Sequence, residues 1–211
     1  MHHNQPEEMQ VGDRADFTIV LAHGRGRSTA DMRALAQRLA LDNVRYLFLV
    51  AENSTWYPKL FQDQIADNEP SLSDAIAHYE TIIKGLEGKG TPSSRIIVGG
   101  FSQGACLTAE FLARHPRPYA AAILWTGGLI GPEGTSWPIR QELHDLPVFI
   151  STSETDPWVP PLRVRETHAW LRACGASPTM LIFPERDHGV IDEEIFAVRA
   201  MIERIRLESA A

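Results

Sequence analysis

Gly100-Phe101-Ser102-Gln103-Gly104 is the stretch of this chain best equipped for chemistry. A serine hydroxyl becomes a nucleophile once a neighbouring base takes its proton. Here the serine stands between an apolar, β-branched run, Arg95-Ile96-Ile97-Val98-Gly99, and a helix-compatible segment, Ala105 to Leu112. Gly and Ser also meet in ordinary turns, so the pattern alone says little. Strand, tight turn with serine at its tip, then helix is the context in which it raises the hydroxyl above a sheet. Glycines two residues either side let the turn close without side-chain clash. The Gln103 N–H then faces incoming negative charge at the start of a helix.

The base should be a histidine, oriented by a carboxylate. Four histidines follow Ser102: His115, His144, His168 and His188. His115 ends the helix after Ser102, His168 lies inside a later helix, and His144 precedes a strand. His188 alone directly follows a strand, in Pro184-Glu185-Arg186-Asp187-His188-Gly189. The carboxylate should lie between Ser102 and His188 and also follow a strand. Asp156, in a loop stiffened by Pro157 and Pro160, meets both conditions, with Glu154 its close competitor. Asp187 adjoins the histidine and would point away from it, and Asp145 precedes its strand. A tetrahedral intermediate needs two backbone donors. Gln103 offers one, and the loop His23-Gly24-Arg25-Gly26 should offer the other. His23 itself precedes the serine and reads as a structural residue under that loop.

These positions require strands that end on one rim. Apolar runs at Phe17–Ala22, Arg45–Val50, Arg95–Gly99, Ala120–Trp125, Pro147–Ser151 and Pro178–Phe183 read as six strands. Helical patterns separate most of them: Ser28 to Leu41, Ser71 or Ser73 to Leu86, the segment after Ser102, Pro161 to Cys174 and Asp192 to Leu207. Ser28 and Asp31 have capping-box spacing. Long loops fill Ala51–Pro70 and the stretch from Trp125 to Leu143. Nearly continuous apolar strands alternating with helices predict one doubly wound, mostly parallel α/β sheet covered on both faces, with no separate lid domain. In such sheets chemistry sits at the carboxyl ends of the strands. Residues 17–211 are expected to form this domain and residues 1–16 a flexible tail, in which His2-His3 is a weak metal binder at most.

The bulk composition narrows the partners. The chain has 211 residues, 44% hydrophobic and 22% charged, with a net charge of −7. That balance argues against nucleic acid. No apolar run is long enough to span a bilayer. Cys106 and Cys174 make no disulfide framework, and the polar N-terminus lacks a signal-peptide core, so the cytoplasm is the expected compartment. No zinc-ligand spacing is present and no cofactor is expected. A homodimer is left open.

Taken together, these residues resemble the phospholipase/carboxylesterase family of α/β-hydrolases, which includes acyl-protein thioesterases and small bacterial carboxylesterases. The carriers are Leu21-Ala22-His23-Gly24-Arg25-Gly26, Gly99 to Ala105, Gly127-Gly128-Leu129, Asp156-Pro157-Trp158-Val159-Pro160 and Asp187-His188-Gly189. Asn53 to Pro58, with Asn68-Glu69-Pro70, resembles a bacterial branch. The resemblance implies Ser102 as nucleophile, Asp156 as orienting acid and His188 as base, with the Arg25 and Gln103 amides as oxyanion hole. It also implies a small-molecule ester substrate. Two stretches depart from the family pattern: Arg25-Gly26-Arg27, and Arg186-Asp187 before the histidine, where small or apolar residues are usual. The segment before Phe17 looks short for the family, so an edge strand is expected to be missing or abbreviated.

Aromatic residues in rim loops suggest a substrate wall, although they could equally pin those loops to the body. Trp56, Tyr57, Phe61, Trp125, Leu129, Trp137 and Trp158 are the candidates, and Gly24 lets the backbone approach a substrate. Such a cleft suits short acyl or aryl esters. Arg25 can meet an acidic group on the substrate, or pair with Asp31 or Glu52. Beside an esterase, an acyl-protein thioesterase and a triad-bearing binding protein with very slow turnover remain open.

Overall fold

The computed structural model describes residues 5–210, so His2-His3 lies outside the described residues. Among the described residues seven strands form one sheet: β1 (Glu7–Val11), β2 (Phe17–Ala22), β3 (Val44–Phe48), β4 (Ile96–Phe101), β5 (Ala121–Trp125), β6 (Pro147–Ser153) and β7 (Ser177–Phe183). Their order is β1-β3-β2-β4-β5-β6-β7. All pairings are parallel except β1 with β3. Among the described residues five α-helices cover the sheet: α1 (Thr29–Leu39), α2 (Ser71–Gly88), α3 (Gln103–Arg114), α4 (Pro161–Ala173) and α5 (Asp192–Ala210).

Strand alternation divides the core in two. Ile19 and Leu21 of β2 and Ile97 of β4 face Leu35 and Leu39 of α1 and Val198 and Ile202 of α5. Their neighbours Val20, Ala22, Ile96 and Val98 face Ile76 and Ile83 of α2 and Leu107 and Phe111 of α3. A period of two in strands β2 and β4, buried at every position, is what a sheet covered on both faces demands. Helix α1 begins as its capping-box spacing predicts, with the Ser28 N–H donating to Asp31 Oδ2 at 2.9 Å. No helix among the described residues is long and apolar enough to cross a membrane.

The expectation of a tail over residues 1–16 fails for residues 7–11. They form β1, registered against β3 from Glu7↔Phe48 to Val11↔Val44. Polar contacts fasten this edge: Arg45 donates to both Glu8 carboxylate oxygens, at 2.6 and 2.9 Å, and Thr29 donates to Glu7 at 2.8 Å. The edge strand expected to be missing or abbreviated is therefore present and short. The chain winds outward from β2 to β3 and then returns to β4 on the other side. That reversal opens a crevice at the carboxyl ends of β2 and β4.

Candidate active site

Ser102 sits between β4 and α3 with φ 54° and ψ −119°. This strained conformation holds because the turn is over-determined. The Ser102 N–H donates to Trp125 O at 2.9 Å, and Ser102 O accepts from the Cys106 N–H at 3.0 Å. The close approach explains the flanking glycines. A Cβ on Gly104 would fall 2.1 Å from Ala22 O, and one on Gly100 would fall 2.5 Å from Gly104 C.

Strand ends bring the other two groups to the serine. The loop after β7 carries His188, whose Nε2 lies 2.8 Å from Ser102 Oγ. The loop after β6 carries Asp156, whose Oδ2 and Oδ1 lie 2.8 and 3.1 Å from His188 Nδ1. Asp156 also accepts the Trp158 and Val159 amides at 2.9 Å each. Burial opposes its charge, but the hydrogen bonds from His188, Val159 and Trp158 outweigh burial and hold its pKa below the usual carboxylate value. The competing carboxylates are occupied elsewhere: Glu154 pairs with Arg165 and Asp145 with His144. His115 packs on Phe111 and faces Glu80, away from the rim.

The loop after β2 brings Gly24 to the serine, where an added Cβ would stand 3.3 Å from Ser102 Cβ. The Arg25 amide has no acceptor among the described residues. The Gln103 amide heads α3, where the helix offers it none. His23 has the structural role expected. Burial lowers its pKa and keeps it neutral; its Nδ1 lies 2.8 Å from Gly24 O and its Nε2 accepts the Ala51 N–H at 3.3 Å. Burial likewise pushes the Cys106 thiol up to about 12, so it offers no thiolate beside Ser102.

A cavity of about 290 Å³ opens over Ser102 and His188. Of the aromatic candidates, Tyr57, Phe61 and Trp158 line it. Trp56, Trp125 and Leu129 do not. Trp56 is buried and turned inward, donating Nε1–H to His23 O at 2.7 Å, so it pins the loop. Trp125 belongs to β5 and packs in the core opposite the site. Leu129 is buried against α4, its N–H donating to Thr167 Oγ1 at 3.0 Å and its carbonyl accepting from Arg163 at 2.9 Å. Trp137 also pins its loop, through Nε1–H to Ile130 O at 3.3 Å. Arg25 pairs with neither Asp31 nor Glu52. Its guanidinium donates to the carbonyls of Tyr57 at 2.9 Å, Pro58 at 2.8 Å and Lys59.

Sequence reasoning missed two sets of residues. Lys59, Leu60 and Arg27 join the cavity lining. Behind His188 lies a buried polar group that the sequence showed only as a departure at Arg186. The Arg186 guanidinium donates to the Asp187 and Gly189 carbonyls on either side of His188, and to Thr126 Oγ1 at 2.9 Å. Its Nε lies 3.7 Å from Glu194 Oε2 on α5, and Ser151 donates to the same carboxylate. Burial pushes the Glu194 carboxyl up despite these partners.

The family model described as Phospholipase/Carboxylesterase matches residues 3–206. A crystal structure of a phospholipase/carboxylesterase from Dyadobacter fermentans is similar at 35% identity and a TM-score of 0.88, covering 96% of this chain and 98% of that one. Acyl-protein thioesterase 1 of Mycosarcoma maydis is 25% identical, over 92% of this chain and 93% of its own. Lysophospholipase-like protein 1 of Mus musculus is 24% identical, over 90% and 87%.

Proposed function

The chain belongs to the phospholipase/carboxylesterase family, an esterase and thioesterase group of α/β-hydrolases, and from that membership we propose that it cleaves carboxylic esters through an acyl-enzyme. The observation that carries this reading is the unbroken relay from Asp156 through His188 to Ser102 Oγ at the tip of a strained turn. As Oγ attacks the ester carbonyl carbon, His188 Nε2 takes the hydroxyl proton. Asp156 accepts the Nδ1–H, fixing the tautomer and balancing the imidazolium charge. The carbonyl oxygen, now an oxyanion, is received by the Arg25 and Gln103 amides. Collapse expels the alcohol, which leaves with the proton from His188. Water then repeats the sequence on the acyl-enzyme: His188 deprotonates it, the acid departs, and Ser102 regains its proton.

The cavity over Ser102, about 290 Å³, suits a short acyl or aryl group. A thioester substrate is the second reading, favoured by relatives that are named acyl-protein thioesterases. Cys106 and Cys174, both buried and unpaired, suit a reducing cytoplasm. The test is turnover of p-nitrophenyl esters of increasing acyl length, with mass-spectrometric mapping of a fluorophosphonate adduct. The adduct is expected on Ser102, and Ser102→Ala should remove at least about 10³-fold of the activity. Failure of every ester, thioester and fluorophosphonate to react would favour a binding protein.

A further inference from the structure

Resting on that esterase reading, we propose that the substrate carries a second, anionic group, a carboxylate or comparable oxyanion, received by Lys59 and Arg25 at the mouth of the cleft. Leaving aside the relay, the charged side chains that line the cavity are Arg25, Arg27 and Lys59, and no Asp or Glu lines it among the described residues. This is a positive opening in a chain of net charge −7. Arg27 is partly balanced by Asp31 at 3.4 Å. The other two form no ion pair among the described residues; the acid nearest along the chain, Asp63, accepts the Leu60 N–H at 3.0 Å. Arg25 gives its hydrogen bonds to three backbone carbonyls, which carry no net charge, so its positive charge remains. The Lys59 ammonium has no hydrogen-bond or ion-pair partner among the described residues.

The backbone beneath Lys59 is nevertheless fixed. Its N–H donates to Asn68 Oδ1 at 2.8 Å, its carbonyl accepts from Arg25, and the next carbonyl, of Leu60, accepts from Asn68 Nδ2 at 3.0 Å. Asn68 is fully buried. A solvated lysine needs no such footing. Here a braced segment holds an unpaired, solvent-exposed cation beside Leu60 and Phe61 at the mouth of the cleft. A neutral ester gains nothing from it. An ester with a carboxylate gains charge-assisted hydrogen bonds from the ammonium and a long-range pull toward Ser102. The Arg25 side chain that braces this segment belongs to the residue whose amide is offered to the oxyanion, so anion capture and carbonyl activation share one loop.

The test compares kcat/KM within two ester pairs: 4-acetoxybenzoate against phenyl acetate, and monomethyl glutarate against methyl butyrate. The wild-type protein should prefer the anionic member of at least one pair. Lys59→Met should lower that preference about threefold, Lys59→Arg should retain it, and added NaCl should weaken it. No preference in either pair, or a preference indifferent to Lys59→Met and to salt, overturns the proposal while leaving the esterase reading intact. Calorimetric binding of glutarate against glutaramide to the Ser102→Ala protein gives a readout that needs no turnover. If no ester reacts yet glutarate binds in a Lys59-dependent way, the esterase reading fails and the anion site stands. Equal binding of the two compounds counts against the site.

Discussion

His188 and Lys59 both line the cleft over Ser102, but the chain holds them by different means. His188 follows β7 within a few residues, and its loop is closed from behind by the buried Arg186. Every group that Arg186 meets outside that loop stands on a regular element or its end: Phe183 at the end of β7, Thr126 after β5, Glu194 on α5, and through Glu194 the hydroxyl of Ser151 on β6. Lys59 lies in a stretch between β3 and α2 whose only helical pieces are short 3-10 turns at Glu52–Ser54 and Ile65–Asn68. Single side chains catch that stretch by its backbone: Gln103 at Trp56 and Tyr57, Arg25 at Tyr57 to Lys59, Asn68 at Lys59 and Leu60. The proposed base thus inherits its position from the sheet. The opposite wall is hung on hydrogen bonds to carbonyls and amides, which accept many side-chain sequences.

The largest expected effect lies on the His188 side. Asp156→Asn keeps the shape but presents a donor where His188 Nδ1–H needs an acceptor, so kcat should fall by about 10⁴ with KM little changed. The same substitution has a pH signature. The folded-state pKa of Asp156 is depressed, so its ionised form adds stability above the unfolded value, about 4, and that stability is lost as pH falls through the folded value. Urea midpoints should therefore separate wild type from Asp156→Asn at neutral pH and converge in acid. A gap that stays constant with pH would deny the carboxylate this role.

Arg186→Met comes next. It leaves Glu194 buried without its cation and frees both carbonyls that flank His188. Removing one partner of a buried pair costs about 3–5 kcal/mol, read as a lower urea midpoint. A base displaced by about 1 Å should lower kcat roughly 10²-fold in the fraction still folded, counted by fluorophosphonate titration. Full kcat per labelled site would show that this wall does not depend on its brace.

The sequence made one of these walls far easier to read than the other. Ser102, Asp156 and His188 were legible because each directly follows an apolar strand, and strand ends of a parallel sheet converge. Strand β1 was not, because an edge strand carrying Glu7, Glu8 and Gln10 lacks the apolar run of a buried one. The aromatic wall was legible only in part. Sequence places Trp56 in a loop but does not say that its indole turns inward to His23, and Trp125 is the last residue of β5. Arg186 stood out as a departure from the family pattern. Its partner Glu194 lies among three acids in the first turn of α5, where acids need no further explanation. Lys59 gave no signal, because its footing depends on Asn68, nine residues away across an irregular turn.

Asn68→Ala applies the corresponding injury to the other wall and should give a different kinetic signature. Asn68 is as buried as Glu194 and, like Arg186, holds a loop by hydrogen bonds to its backbone. Its removal leaves the Lys59 N–H and the Leu60 carbonyl without their partner, at a cost of about 1–3 kcal/mol. Neither group touches the relay. Loosening them lets Lys59, Leu60 and Phe61 drift, so KM for any ester that reaches this wall should rise several-fold. For a small acetyl ester, kcat should stay within about twofold, since Ser102, His188 and Asp156 keep their strand-end positions. Steady-state kinetics beside Arg186→Met make the contrast direct: one brace read in kcat, the other in KM. A fall in kcat with unchanged KM for Asn68→Ala would mean that the irregular wall also positions the chemistry, through Gln103, whose side chain binds the 55–57 segment and whose amide is the proposed oxyanion donor.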